Sequence, residues 1–175
     1  MPTEQEKTFE ALKYAIQMEI DGKAFYLKSS KESTNELGRK LLESLAQAED
    51  YHRIKFEQIF TTISKKQSWP LIDFKIDGGR TMRTIFAKEL TKKPSQIKPA
   101  KSELDAVQKA QEMEAKSYDF YHARSEQAES AEEREFFGLV AAEEREHQLV
   151  LNDYDEFLRN PAGWYVKTEK PSFEI

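Results

Sequence analysis

Two short patterns in this chain combine a carboxylate and an imidazole at metal-binding spacing: Glu49-x-x-His52 and Glu144-x-x-His147. On a helix, residues three apart lie on one face and about one turn apart. Each pair can therefore converge on a single ion. Glu19 and Glu114 sit among apolar neighbours, on the stripes of Leu12, Ala15 and Ile16 and of Val107, Ala110 and Gln111. A carboxylate on a buried stripe is costly unless it is paired or binds a metal. Four such carboxylates facing one core repel each other, and two divalent cations neutralise that charge. The chain has no cysteine, which excludes disulfides, thiolate zinc sites and thiol catalysis. Any ligands must be His and carboxylate.

These residues belong to an internal repeat. Ala15-x-x-x-Glu19 matches Ala110-x-x-x-Glu114, Phe25-Tyr26 matches Phe120-Tyr121, and Ala46-x-x-Glu49-x-x-His52 matches Ala141-x-x-Glu144-x-x-His147. The offset is 95 each time (114 minus 19, 147 minus 52). Tyr26 and Tyr121 follow their glutamates by seven residues and return to the same face two turns on. Their hydroxyls are placed to hydrogen-bond a ligand carboxylate.

Four helices must carry this pattern. Helical periodicity runs over about 3–30, 35–64, 102–129 and 130–160. Ser33 with Glu36 reads as the capping box of the second, Ser102 with Asp105 as a weaker cap of the third, and Ser130 with Glu133 as the capping box of the fourth. Phe9, Leu12, Ile16, Ile20 and Phe25–Tyr26 mark the apolar recurrence of the first. Short links at 31–34 and 127–130 imply two antiparallel hairpins. Residues 65–101 hold Trp69-Pro70, Gly78-Gly79, Pro94 and Pro99, too broken for one helix, although Thr81–Leu90 suits a short one. The fold class is thus all-α: a ferritin-like four-helix bundle of two repeated hairpins joined by a long crossover, spanning 1–160. Residues 161–175 read as a tail leaving the last helix at Pro161 and Gly163, unlike an additional short helix.

Doubled in this way, the pattern resembles the rubrerythrin-type branch of the ferritin-like superfamily, over roughly 8–60 and 103–158 but not the crossover. The resemblance implies a di-iron carboxylate centre with Glu49 and Glu144 bridging, Glu19 and Glu114 terminal, and His52 and His147 each on one ion. Manganese and zinc also suit such ligands. It implies oxidation of Fe(II) with reduction of O2 or hydrogen peroxide, an external electron donor such as a rubredoxin-like protein, and a homodimer, for which hairpin exchange through the long crossover offers a route. Iron storage through ferroxidase chemistry and a metal-stabilised bundle without turnover are the alternatives. Without cysteine the chain resembles relatives that lack a rubredoxin domain. Ser117 stands where rubrerythrins carry a further glutamate, three residues after Glu114.

The remaining candidates read more simply. His122 reads as surface, and Asp50, Glu112, Glu143 and Glu146 as solvated face. Trp69, Trp164 and Tyr165 suit the cover of a bundle end or a partner surface. Net charge is −5 with acid and base interleaved, which argues against nucleic acid. No stretch approaches the roughly 20 apolar residues of a membrane span, and no N-terminal run resembles a signal peptide, so the expectation is a soluble cytoplasmic protein.

Overall fold

A computed structural model describes residues 1–92 and 98–168, with side chains to Trp164. The four long periodic segments are helices α1 (Glu4–Glu32), α2 (Glu36–Ser64), α4 (Lys101–Gln127) and α5 (Ala131–Arg159); the crossover holds α3 (Arg80–Leu90). A sixth helix, α6, spans Pro161–Thr168. At 27–29 residues, each long helix extends about 40 Å. α1 packs chiefly on α2, and α4 on α5, as the short links require. Among the described residues there is no strand, and no helix is long and apolar enough to cross a membrane.

Helix ends follow local chemistry, with some departures from expectation. α1 opens with a capping box, Thr3 with Glu6. The cap of α2 is Asn35, whose side chain accepts from the Gly38 N–H. Ser33 instead closes α1, which runs two residues further than its periodicity indicates. No side chain caps α4; Ala100 holds that position, not Ser102. Ser130 caps α5 by accepting from the Glu133 N–H. The Glu133 side chain does not reach back, because Arg124 and Thr8 claim it. The last helix does stop at Asn160, but the residues after it form α6, correcting the expectation of a helix-free tail. Trp164 of α6 packs edge-on against Phe86 and Phe157. The rest of the tail, 169–175, and crossover residues 93–97, with Pro94, lie outside the described residues, as does the Tyr165 side chain.

Two apolar clusters fill the bundle. One contains Leu41, Leu42, Leu45, Val150, Leu151 and Phe157. The other contains Leu12, Phe56, Ile59, Phe136, Phe137 and Val140. Tyr26 belongs to the first and Tyr121 to the second, each fully buried. Ile20, placed by periodicity with the core, is 41% exposed; Glu19 beside it is 1% exposed. The core stripe of α1 therefore delivers a carboxylate to the interior where a leucine would normally sit. That carboxylate and its partners form a polar layer between the two clusters.

Candidate metal centre

All six predicted ligands meet in that layer, each no more than 4% exposed. Four helices contribute: Glu19 from α1, Glu49 and His52 from α2, Glu114 from α4, Glu144 and His147 from α5. They form two overlapping groups able to hold an ion. One is Glu19, Glu49, His52 and Glu144; the other is Glu49, Glu114, Glu144 and His147. Within each group one ligand atom from every residue lies within 4.8 Å of the others. Glu49 and Glu144 are common to both groups. The glutamate of each Glu-x-x-His pair is thus placed between two positions, and the histidine beside one.

The helices run antiparallel across the layer. His52 Nδ1 of α2 lies 3.0 Å from Glu144 Oε1 of α5 and 3.6 Å from Glu19 Oε2. His147 Nδ1 lies 3.5 Å from Glu114 Oε2 and from Glu144 Oε2, and 3.6 Å from Glu49 Oε1. These contacts are close, yet none has hydrogen-bond geometry. Seven buried atoms here lack a hydrogen-bond partner: Glu19 Oε2, Glu49 Oε1, His52 Nδ1, Glu114 Oε2, both Glu144 oxygens and His147 Nδ1. Buried polar atoms are almost always satisfied, so seven converging on one space fit a cation site.

The tyrosines act across the repeat. Tyr26 of α1 donates its hydroxyl to Glu114 Oε1 of α4, and Tyr121 of α4 donates to Glu19 Oε1 of α1. Two helical turns separate a tyrosine from the glutamate of its own helix by about 10 Å, too far for contact. The antiparallel neighbour brings the other glutamate within reach. Each terminal carboxylate is held by one oxygen and keeps the second, unpartnered oxygen towards the histidine. Burial, then the Glu114 charge, pushes the Tyr26 hydroxyl well up; burial, then Glu19, does the same for Tyr121. Both remain protonated donors.

Electrostatics without a cation are resolved by protons. Burial, then Glu19 and Glu144, pushes Glu49 well above the usual carboxylate range. Burial and the neighbouring Glu144 push Glu114 up to about 8. Burial acts to raise Glu144 as well, but Glu114, His147 and His52 packed against it hold it well below that range. Burial opposes charge on His52, yet Glu144 and Glu19 outweigh it and raise the imidazole to about 10. His147 is raised well above its ordinary value in the same way, by Glu114 and Glu144.

Space is also made for the carboxylates. A Cβ on Gly22 would lie 2.7 Å from Glu49 Oε2, so α1 needs glycine there. Ser117 occupies the equivalent position on α4 and is half-buried. Its hydroxyl adds no carboxylate to the layer.

The histidine side of the layer is covered by the crossover. Phe74 stacks on His52 with ring centroids 5.7 Å apart, and His52 stacks on His147 at 5.7 Å. Trp69 packs on Phe136, against the bundle. Glu143, expected on the solvated face, is 4% exposed and accepts from the backbone N–H groups of Asp77 and Gly78. Its partners lie in an irregular segment, where periodicity carries no signal. Glu146 pairs with Arg83, Asp50 with Lys23 and Arg53. His122 is exposed, stacked on Tyr118.

A family model described as Rubrerythrin matches residues 10–154. Neither the curated proteins nor the solved structures give a match to this chain.

Proposed function

The chain belongs to the rubrerythrin family, and from that premise we propose that it is a non-haem di-iron oxidoreductase, oxidising Fe(II) while reducing O2 or hydrogen peroxide. The observation that carries this reading is the set of seven buried, unpartnered ligand atoms in one layer. Their donor set, four carboxylates and two imidazoles, suits iron or manganese and also zinc. Two irons bound there would supply one electron each to the oxidant, and an external one-electron donor would restore them.

The chain's own residues define what such a centre would experience. Glu49 and Glu144 would be shared between the ions, with Glu19 and His52 serving one and Glu114 and His147 the other. Tyr26 and Tyr121 fix the outer oxygens of the terminal carboxylates. That hydrogen bond orients each ligand before an ion arrives. The apolar clusters above and below exclude water, which strengthens every electrostatic contact inside. Protons held by Glu49, Glu114 and the histidines must leave as cations enter.

The test is anaerobic Fe(II) loading followed by O2 or peroxide. Near-UV absorption of an oxidised di-iron centre is expected, with one electron lost per iron. Iron that binds but is never oxidised by either oxidant would end the redox reading and leave the metal-stabilised bundle. The storage alternative shares the same ligands and gains nothing from the tail, since α6 packs back on α3 and α5. A particle no larger than a dimer by light scattering would exclude a cage.

A further inference from the structure

We propose that Glu143 is a positioning residue that latches the crossover over the histidine side of the metal centre, and that the cavity it closes is the port to His52 and His147. This rests on the metal-binding reading above but not on the redox chemistry. A cavity of about 240 Å³ lies between α2, α5 and the crossover; Tyr51, Lys75, Met82 and Glu143 line it, and His52 and His147 form its inner wall. Both imidazoles are only 1% exposed, so whatever reaches them from this side passes the crossover.

Polar contacts hold the crossover beside this cavity. Tyr51 accepts from the Lys75 N–H at 2.7 Å and donates to the Asp73 carbonyl at 3.3 Å. The Glu143 carboxylate accepts from Gly78 N–H at 2.9 Å and Asp77 N–H at 3.3 Å. Arg83 bonds the Gly78 carbonyl at 2.6 Å and pairs with Glu146. Gly78 and Gly79 have φ of 61° and 71°, a left-handed conformation that glycine adopts without strain. Successive N–H groups turned to one side in this way form an anion-binding concavity. Here the anion is a side chain of α5. Glu143 is buried, and these two N–H groups are its hydrogen-bond donors among the described residues, so releasing the crossover strands its charge.

The repeat supplies an independent argument. Shifting by 95 positions pairs Glu143 with Ala48 and Glu146 with Tyr51. The ligands one residue further along each helix, Glu49 with Glu144 and His52 with His147, are identical. The two copies therefore agree at the ion-binding positions and differ at the neighbouring positions that anchor the crossover. Their divergence fits a task that exists on one side of the molecule: holding the segment inserted between the copies.

The experiment uses the full chain loaded with Zn(II), a redox-inert probe, and follows extraction by an excess of chelator. Glu143→Ala and Tyr51→Phe are compared with wild type and with Glu143→Gln, which keeps one oxygen for the N–H groups. Amide hydrogen exchange over 73–83 is read in parallel. Losing a charge-assisted latch is expected to speed zinc extraction by about tenfold in Glu143→Ala, less in Glu143→Gln, with two zinc ions still bound at saturation. Tyr51→Phe keeps the ring packing and loses only the two crossover bonds, so it tests the port if Glu143→Ala folds poorly. Faster exchange at Asp77 and Gly78 with unchanged zinc release would overturn the port while leaving the metal site intact. A wild-type chain that binds no zinc would remove the metal-binding reading and the latch together.

Discussion

At one end of the bundle α2 lays an aliphatic row, Leu41, Leu42 and Leu45, against Tyr154 and Phe157, and the buried carboxylate of Glu103 is met by Ser33, Thr34, Asn35 and Tyr154. At the other end the core is aromatic, built on Phe56, Phe136 and Phe137, and its buried carboxylate, Glu133, sits on Arg124. The repeat makes these ends counterparts. Leu41 and Leu42 correspond to Phe136 and Phe137, and Leu45 to Val140. Glu103 corresponds to Thr8, which donates to Glu133, and Glu133 corresponds to Gly38. The carboxylate has thus moved from one helix to the facing helix between the two ends, and a small residue has moved the opposite way. Between the long helices, a buried carboxylate at each end is retained by compensating exchange. Between the ends, all six ligands and both tyrosines match. What must bind charge in a fixed geometry is repeated; what only closes a bundle end has been free to find another solution.

That contrast can be broken most forcefully at Arg124. Arg124→Ala leaves Glu133 buried without a cation and also frees Glu4 and Thr8. A loss of about 3–5 kcal/mol is expected in denaturant unfolding. Glu103→Gln at the opposite end keeps a carbonyl acceptor for its neutral donors and should cost less than half as much. Equal losses would mean that the two ends use the same energetics after all.

Removing either tyrosine hydroxyl tests the matched part. Tyr26→Phe and Tyr121→Phe each release one terminal carboxylate and should lower affinity for their ion by roughly 10- to 100-fold. The two variants should agree in calorimetric titration, because each hydroxyl serves the other hairpin in the same way. A large effect from one and none from the other would contradict a near-symmetric centre.

Glycines give a smaller and opposite pair. Alanine in mid-helix ordinarily stabilises by about 1 kcal/mol over glycine. Gly38→Ala instead places a Cβ 2.2 Å from the Tyr154 hydroxyl and 2.9 Å from Glu103 Oε1, so a loss of about 1–2 kcal/mol in stability is expected. Gly22→Ala presses on Glu49 and should weaken metal binding more than it lowers the melting temperature of the metal-free chain. A stabilised Gly38→Ala would show that the aliphatic end is loosely packed.

The gentlest probe is pH. In the metal-free chain Glu114 is raised from 4.5 to about 8 and His52 from 6.5 to about 10. Glu49 and His147 move in the same direction. The folded chain then holds more protons than the unfolded one, so its stability falls as pH rises from 4.5 to about 10. Glu144, held low, contributes only as pH falls below 4.5. Cations displace those protons, and the loaded protein should show the reverse slope, losing stability on acidification. Thermal melts at several pH values, with and without zinc, check the inversion.

Much of this architecture was legible in the residues because periodicity and repetition both report on it. The four helices, and the carboxylates and histidines that meet in the polar layer, follow from faces and offsets; the division into shared and terminal glutamates is what the family resemblance implies. Partners across the bundle do not. A seven-residue spacing puts Tyr26 on the face of Glu19, but only antiparallel packing shows that it serves Glu114. Ser33 reads as the cap of α2 by its spacing, and Asn35 takes that role because α1 continues to Glu32 and claims Ser33. Glu143 was obscured because its partners are backbone N–H groups of an irregular crossover, which leave no periodic trace. The short α6 opens on Pro161 and contains Gly163, residues that mark breaks as readily as helix starts.

The central claim is that Glu49 and Glu144 are shared between two ions held by the repeated hairpins. Anaerobic Fe(II) titration with metal analysis tests it most directly, on wild type and on the double variant Glu49→Ala, Glu144→Ala. Two irons per chain in wild type, and loss of two-metal binding in the double variant, are the expected results. A wild-type stoichiometry of one, or two irons surviving without both shared glutamates, would contradict it.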